Sequence, residues 1–303
     1  MLDTNPHPLA RRIEEALPHP IAARFHICAA DEIPSTNTRL KEIAADAVSS
    51  GKPIVPTVLL ARTQSGGRGR LGRTFHSPSG TGLYMSMLLT PTLQPKEALC
   101  LTTAAAAACA EAADAVRTDA DIESRGIVGI KWVNDLYLGG KKICGILAEA
   151  ALTPNADALS WAVIGIGINL LPPKEGFPAA LADTAGTLLE ANPTGDADDL
   201  LSRLAADILC RLIAYLDPAQ KDTVLSIYRE RSILDGRAVL VRPASSLGGE
   251  ELPAQVLGID DDFGLTVRYE DGREAVLSSG EVVLCDDGTA PTHQSSRASV
   301  HLL

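Results

Sequence analysis

Lys131-Trp132-Val133-Asn134-Asp135-Leu136-Tyr137-Leu138-Gly139-Gly140-Lys141-Lys142 reads as a β-strand running into a two-glycine turn, with a second strand over 142–150 leaving it. Adjacent glycines between apolar-rich runs are a strong hairpin signal, because both turn positions ask for positive φ. The first strand is expected over 128–138. With Gly139-Gly140 as the turn, Leu138 faces Lys141, Tyr137 faces Lys142 and Asp135 faces Cys144. Alternation then gathers Lys131, Val133, Asp135, Tyr137 and Lys142 on one side, and Lys141 on the other with Asn134 and Leu136. Asp135 and Lys142 become diagonal neighbours within salt-bridge or shared-ligand reach, which singles out Lys142 over Lys141 as a working lysine. The same residues also suit an ordinary surface hairpin with a weak ion pair.

Helical patterns flank this hairpin. Leu40, Ile43, Ala44, Ala47 and Val48 recur at three- and four-residue steps, predicting a helix over 37–48 with Ser35 and Thr36 at the cap positions. Further helices are expected over 97–116 and 198–216, the latter with Leu201, Leu204, Ile208, Leu212 and Leu216 on one stripe. Strands are expected over 55–62, 82–90 and 161–170. Helices mixed with hairpin-linked strands make the class α+β rather than a regular βαβ alternation. Beyond Arg231, short strands at 238–242, 254–259, 265–269, 274–277 and 282–284, separated by turn clusters at 245–249 and 260–264, spell a small all-β barrel. The expected division is a lead-in over 1–30 holding one short helix at 9–17, a main domain over 31–232, a barrel over 233–285 and a loose polar tail over 286–303.

The 303 residues carry a formal net charge of −11 and are 46% hydrophobic, enough apolar material for a core and too acidic for a broad duplex-binding face. No apolar run is read as reaching the ~18 residues of a membrane span. The softest stretch, 104–110, is alanine-rich and helix-forming. The opening residues include Asp3, Glu14 and Glu15 and no apolar core, unlike a signal peptide. The six cysteines (Cys28, Cys100, Cys109, Cys144, Cys210 and Cys285) show no C-x-x-C pair and no zinc spacing, so reduced thiols and a cytoplasmic location are expected.

Three further segments carry chemistry. Gly66-Gly67-Arg68-Gly69-Arg70-Leu71-Gly72-Arg73 combines three arginines, four glycines and no acid. Its backbone can approach a ligand closely, and its guanidiniums match phosphate oxygens in pairs. Gly67-x-Gly69-x-x-Gly72 also fits the dinucleotide fingerprint, but the context fails: 74–81 holds Ser77, Pro78, Ser79 and Gly80, and no acid appears before Glu97. In Ile164-Gly165-Ile166-Gly167-Ile168-Asn169, two glycines interrupt an apolar strand, as they do where a ligand or another backbone comes close. Asn169 could then hydrogen-bond a base or sugar; a tightly packed core strand ending in a turn asparagine fits as well. Ser35-Thr36-Asn37 offers small polar groups for a neutral ligand such as a ureido group or amide, and serves equally as a plain helix cap.

Together and in this order, the four segments resemble the biotin–protein ligases (biotin–acetyl-CoA-carboxylase ligases). That family shows a Ser-Thr-Asn start, a Gly-Arg-Gly-Arg-x-Gly-Arg loop, a Lys-Trp-Pro-Asn-Asp hairpin ending in lysine and a Gly-x-Gly-x-Asn strand. The likeness spans roughly residues 31–285. It implies a catalytic α+β domain related to class II aminoacyl-tRNA synthetases, followed by an SH3-like β-barrel. It implies an ATP-dependent, AMP-forming ligase that converts biotin and ATP with Mg2+ to biotinyl-5′-AMP, then biotinylates a lysine of a biotin carboxyl carrier protein. Carried onto this chain, the resemblance assigns catalysis to Lys142, Arg70 and Asp135. It assigns biotin contacts to Ser35, Thr36, Asn37, Gln64, Gly67, Arg68, Gly69, Arg70, Lys142, Gly145, Gly165 and Gly167. It assigns ATP or adenylate contacts to Arg68, Arg70, Arg73, Phe75, Lys131, Asn134 and Asn169, and implies no resident metal ligands. Two positions depart from the family: Phe75 stands where tryptophan is usual, with less area to stack on adenine, and Val133 where proline is common. The arginine loop is expected to be mobile without ligand, since a permanent clamp would trap product. Only 34 residues precede Ser35, too few for the winged helix of the bifunctional members, so no direct DNA binding and no membrane association are expected. Monomer and homodimer both stay open. The alternatives are a lipoate- or octanoate-type protein ligase, and a biotin-sensing regulator that binds without turnover.

Overall fold

The computed structural model describes residues 7–119, 126–193, 195–242 and 251–285. Seven strands build the principal sheet: β1 (His26–Ile33), β2 (Thr57–Gln64), β3 (Gly82–Leu89), β4 (Gly129–Lys131), β5 (Asp135–Leu138), β6 (Lys141–Leu152) and β7 (Leu159–Asn169). Their spatial order is β1-β2-β3-β7-β6-β5-β4. β1 pairs parallel with β2, and the other neighbours are antiparallel, so the sheet is mixed and the class is α+β. The helices are α1 (Pro8–Ala16), α2 (His19–Ala22), α3 (Thr36–Ser49), α4 (Leu99–Asp119), α5 (Ala197–Tyr215) and α6 (Lys221–Glu230).

Alternation along the strands gives the sheet two unlike faces. Leu83, Met85 and Met87 of β3 join Ile164, Ile166 and Ile168 of β7 in one large core with Leu9 and Ile13 of α1, the alanines of α4 and Leu204, Ile208 and Leu212 of α5. The opposite face has a much smaller core, in which Leu59, Leu88 and Val163 meet Leu40 and Ala44 of α3. That single helix leaves the rest of its face uncovered. There the cross-strand register pairs Ser86 with Gly165, Tyr84 with Gly167, and Gly167 with Gly145. The glycines and Ser86 at these positions leave a hollow where larger side chains would otherwise stand.

Several expectations are corrected. The short helix expected at 9–17 is α1; it packs into the core rather than leading up to it, with Leu9 and Ile13 fully buried against α5, and β1 already starts at His26. The run 128–138 is not one strand. It turns at Trp132–Asn134, and β4 and β5 pair with each other through Lys131 and Asp135, so the strand alternation assumed for Lys131 and Val133 does not hold. A register shift between Leu136 and Tyr137 sets Asp135 opposite Gly145 instead of Cys144. Helix α6 was not anticipated. With the turn before it, α4 makes a stretch long and apolar enough, by length and composition, to cross a membrane, which counting uninterrupted apolar runs misses. In this fold its alanines 104–108 are buried between the sheet and α5 as a core helix. Among the described residues the cysteines form no disulfide.

A second sheet follows: β8 (Ala238–Arg242), β9 (Leu252–Ile259), β10 (Leu265–Tyr269), β11 (Glu274–Leu277) and β12 (Glu281–Leu284), ordered β11-β10-β9-β8-β12. Its strands match the short runs expected there. β11 and β12 are its two edges, so the described strands make an open sheet, and closure into a barrel is not seen among them. The turn at 245–249 and the tail over 286–303 lie outside the described residues. Among the contacts that fasten this sheet to the main body, the Trp132 indole Nε1–H donates to the Phe263 carbonyl at 2.9 Å, and the Phe263 ring meets Tyr228 of α6 edge-on.

Candidate active site

The uncovered part of the α3 face opens into a cavity of about 680 Å3, a size suited to a small organic ligand. β6 and β7 form its floor. The arginine loop, the Trp132–Asp135 turn, residues from 177 to 185 and Glu281-Val282 of the second sheet form its walls. Of the residues singled out from sequence, Thr36 and Gly67 stand behind the wall, and all the others line the cavity.

At one side Lys142 Nζ approaches Asp135 Oδ1 to 2.7 Å. The approach lies off the hydrogen-bonding direction, so this buried oxygen still lacks a directed hydrogen bond. The expected diagonal neighbours therefore meet despite the register shift. Lys141, by contrast, donates to the Ala182 carbonyl at 3.1 Å outside the cavity. The backbone of Lys142 is tied at both ends, its N–H to Thr184 O and its carbonyl to Gly186 N–H, each at 2.8 Å. Nearby Lys131 lies 5.8 Å over the Tyr137 ring, and burial lowers its pKa against the pull of Asp135.

At the other side is a neutral polar cluster at the start of α3. Ser35 caps the helix, its hydroxyl accepting from Thr38 N–H. Gln64 Oε1 accepts from Thr36 N–H at 2.9 Å, while its Nε2 donates to Ser77 Oγ at 3.1 Å, leaving one Gln64 N–H to spend. The Ser86 hydroxyl donates to Asn37 Oδ1 at 2.6 Å, and Asn37 Nδ2 donates to Leu147 O and Glu149 Oε2 at 3.2 Å each. Both N–H groups of Asn37 are thus used internally.

The arginine loop runs between these sides. Arg68 reaches Glu149 Oε1 at 3.5 Å. Arg70 donates to Asn134 Oδ1 and to Gly280 O, both at 2.9 Å. Arg73 grips Glu281 through two oxygens at 2.5 and 2.8 Å. Burial opposes the Glu281 charge, but Arg73 and then Arg242 outweigh it and hold the carboxyl below its usual range. Each guanidinium of the loop expected to be mobile therefore has an internal partner.

The strand glycines make room for protein groups. A Cβ on Gly165 would fall 2.0 Å from Asn37 Oδ1, and one on Gly167 would fall 2.7 Å from two carbons of the Phe75 ring. The Phe75 ring rests on Gly167, near Gly145, and meets Tyr84 edge-on at 6.4 Å. Asn169 donates to Gly186 O at 3.1 Å, and Asn134 Nδ2 to Ile146 O at 3.0 Å. Four contributors escaped the sequence reading: Ser86, Glu149, Glu281 and the cavity-lining His76. Only Ser86 left a local signal, as a lone hydroxyl between Met85 and Met87. Glu281 arrives from the far sheet, more than 200 positions beyond the loop it meets.

Residues 29–169 match the Biotin/lipoate A/B protein ligase family. The bifunctional ligase/repressor BirA of Bacillus spizizenii is 32% identical over 258 residues, 84% of this chain and 73% of that protein. The biotin–[acetyl-CoA-carboxylase] ligase of Mycobacterium tuberculosis is 30% identical over 252 residues, 82% of this chain and 85% of that one. Among solved structures, the biotin protein ligase from Aquifex aeolicus in complex with biotin and ATP is similar with a TM-score of 0.62 and 25% identity, covering 86% of this chain and 98% of that chain. With four motifs converging on one cavity and relatives matched over most of their length, this chain belongs to the biotin/lipoate A/B protein ligase family.

Proposed function

We propose that the chain is an ATP-dependent biotin–protein ligase. The observation that carries this reading is that Lys142 and the guanidiniums of Arg68, Arg70 and Arg73 line one cavity together with the neutral cluster around Ser35 and Gln64. Such a site suits a ligand with a neutral polar head, a carboxylate at the other end, and a polyphosphate beside it. In the first step a biotin carboxylate oxygen attacks the α-phosphorus of ATP, the bond to the β-phosphate oxygen breaks, and biotinyl-5′-AMP and pyrophosphate form. Attack of one anion on another needs its repulsion offset, which is the work of Lys142 and the arginines. In the second step a lysine amine of a biotin carboxyl carrier protein attacks the anhydride carbonyl and AMP leaves with the electron pair. The amine proton passes to Asp135, the carboxylate paired with Lys142. Ser35 and the remaining Gln64 N–H serve the ureido head, with Thr36, Asn37, Gly67 and Gly69 shaping its surroundings. Gly145, Gly165 and Gly167 keep the floor low, and Lys131, Phe75, Asn134 and Asn169 serve the nucleotide side.

Mg2+ enters on the phosphate oxygens of ATP; among the described residues no three His, Cys, Asp or Glu side chains cluster to hold a resident metal. The relatives' names support biotin over lipoate and support a biotin carboxyl carrier as acceptor. We read 31–232, together with α1 and the start of β1, as a class II synthetase-like catalytic domain. We read 233–285 as the counterpart of the family's SH3-like barrel. A cytoplasmic location completes the reading.

The test is pyrophosphate release by the purified chain with MgATP and either biotin or lipoate. Release requires biotin, and Lys142→Ala lowers it by about a hundredfold or more. Release that follows lipoate instead, or biotin binding without pyrophosphate as a regulator would give, overturns the reading.

A further inference from the structure

We propose that Glu149 is a positioning residue that fixes the Asn37 amide at the floor of the cavity and so sets biotin affinity. Glu149 sits on β6, behind the cavity wall, and its carboxylate gathers three groups from two elements, α3 and the arginine loop. Its Oε2 accepts from Asn37 Nδ2 at 3.2 Å, and its Oε1 accepts from Lys41 Nζ at 2.6 Å and meets Arg68 Nη2 at 3.5 Å. Asn37 and Lys41 are one helical turn apart on α3, so they present the same side of the helix to β6. Arg68 comes from the arginine loop.

The leverage lies in the Asn37 amide. It fills the space above Gly165 so closely that a single methyl there would collide with it. Its oxygen is taken by Ser86, so its orientation is set: nitrogen toward Leu147 O and Glu149, oxygen toward Ser86. Remove the Glu149 acceptor, and one buried N–H of Asn37 is left to seek a partner, with the cavity on its open side. The amide then turns or draws water into the space that the head group needs. Arg68, released from Glu149 at the same time, loses its tether to the head-group side of the floor. Burial works against the Glu149 charge, while Lys41 and Asn37 hold the carboxyl below its usual range.

This inference rests on the biotin reading, and the experiment separates the two. Initial rates of pyrophosphate release by the full chain are measured with biotin and ATP varied in turn. Glu149→Ala raises the biotin KM by about tenfold, while kcat and the ATP KM stay within about twofold. Glu149→Gln, which keeps an acceptor for Asn37 Nδ2, returns the biotin KM to within about threefold of the parent. Lys41→Met, which breaks the ion pair but leaves Glu149 beside Asn37, also stays within about threefold. The proposal is overturned if Glu149→Ala leaves the biotin KM unchanged, if the ATP KM rises in step, or if Glu149→Gln or Lys41→Met matches Glu149→Ala. Should Glu149→Ala not fold, Asn37→Ser deletes the oriented amide and leaves Glu149 its lysine. The same selective rise in biotin KM is then expected, and an unchanged KM is equally fatal. A parent protein with no biotin-dependent release ends the ligase reading itself; an active parent with a silent Glu149→Ala ends only this one.

Discussion

Adding one methyl group to the cavity floor at Gly165 has a cost that can be worked out atom by atom. The new Cβ would stand 2.0 Å from Asn37 Oδ1, 2.7 Å from Cγ and 3.0 Å from Nδ2. Asn37 has to retreat by more than an ångström, and its three hydrogen bonds to Ser86, Leu147 and Glu149 cannot follow. At about 1 kcal/mol net for each, with buried donors left over, Gly165→Ala costs about 3 kcal/mol. For a chain of this size that lowers the melting temperature by roughly 5 °C. Gly145→Ala is the internal control, because its Cβ meets Phe75 Cε2 at 3.3 Å and Lys142 Cε at 3.5 Å, which a shift of a few tenths of an ångström relieves. Its cost stays below about 1 kcal/mol. Gly167→Ala falls between, driving a Cβ to 2.7 Å from two Phe75 ring carbons. Overpacking of that kind costs about 1–3 kcal/mol, and Phe75→Ala in the same chain should recover part of it as a coupling of opposite sign. Thermal unfolding by circular dichroism of the three single variants and the double variant reads the order directly. If Gly165→Ala melts within about 1 °C of Gly145→Ala, the Asn37 amide is not held as described, and the reasoning about the floor fails.

Two other substitutions test how the second sheet and α6 support the site. Glu281→Gln should change stability by less than about 1 kcal/mol, since the Arg73 pair is half-exposed, yet speed tryptic cleavage after Arg68, Arg70 and Arg73; unchanged cleavage would show the latch to be idle. Glu281 is held below the usual carboxylate range, so the latch persists at neutral and mildly acidic pH and is lost only as pH falls through that lowered value. The loss is read as faster amide exchange over 66–73 after correction for the intrinsic rate. Tyr228→Phe deletes a buried hydroxyl that donates to Val133 O at 3.0 Å. It should cost about 1–2 kcal/mol in unfolding free energy and raise the ATP KM more than the biotin KM, because the loosened turn leads into Asn134.

What was legible in the sequence follows the range of the forces involved. Alternation and helical spacing are local, and they located α3, α5 and the strands β8 to β12 to within a few residues. Hairpin chemistry at Gly139-Gly140 paired Leu138 with Lys141 and Tyr137 with Lys142 as expected. The shift just beyond Tyr137 left no mark in the residue types, nor did the turn at Trp132–Asn134, where Lys131-Trp132-Val133 reads as a plain continuation of the strand. Residues 7–30 looked weakly patterned because Pro8, Pro18 and Pro20 break the run, whereas the burial of Leu9 and Ile13 depends on α5, some 190 positions away. For the same reason motif spacing could gather Lys142, Asp135 and the arginines, but could not supply Ser86, Glu149 or Glu281, whose importance exists only once three elements meet.

The partners of the arginine loop also bear on how a cluster of three like charges can stay on an acidic chain without closing the site to anions. Arg70 is held by two neutral acceptors, an amide oxygen and a backbone carbonyl, so its full positive charge remains available to a phosphate. Arg73 is held by a carboxylate, and an incoming phosphate has to displace that partner. Arg68 meets a carboxylate already engaged by Lys41 and Asn37, at a longer distance, and gives it up at little cost. The loop is thus steadied by contacts of graded strength, weakest at Arg68 beside Glu149 and strongest at Arg73, at the junction with the second sheet. A loop anchored from its far end can open toward the ligand while staying attached to the sheet that positions it. This reconciles the release of product with a site whose charges are assembled before any anion arrives.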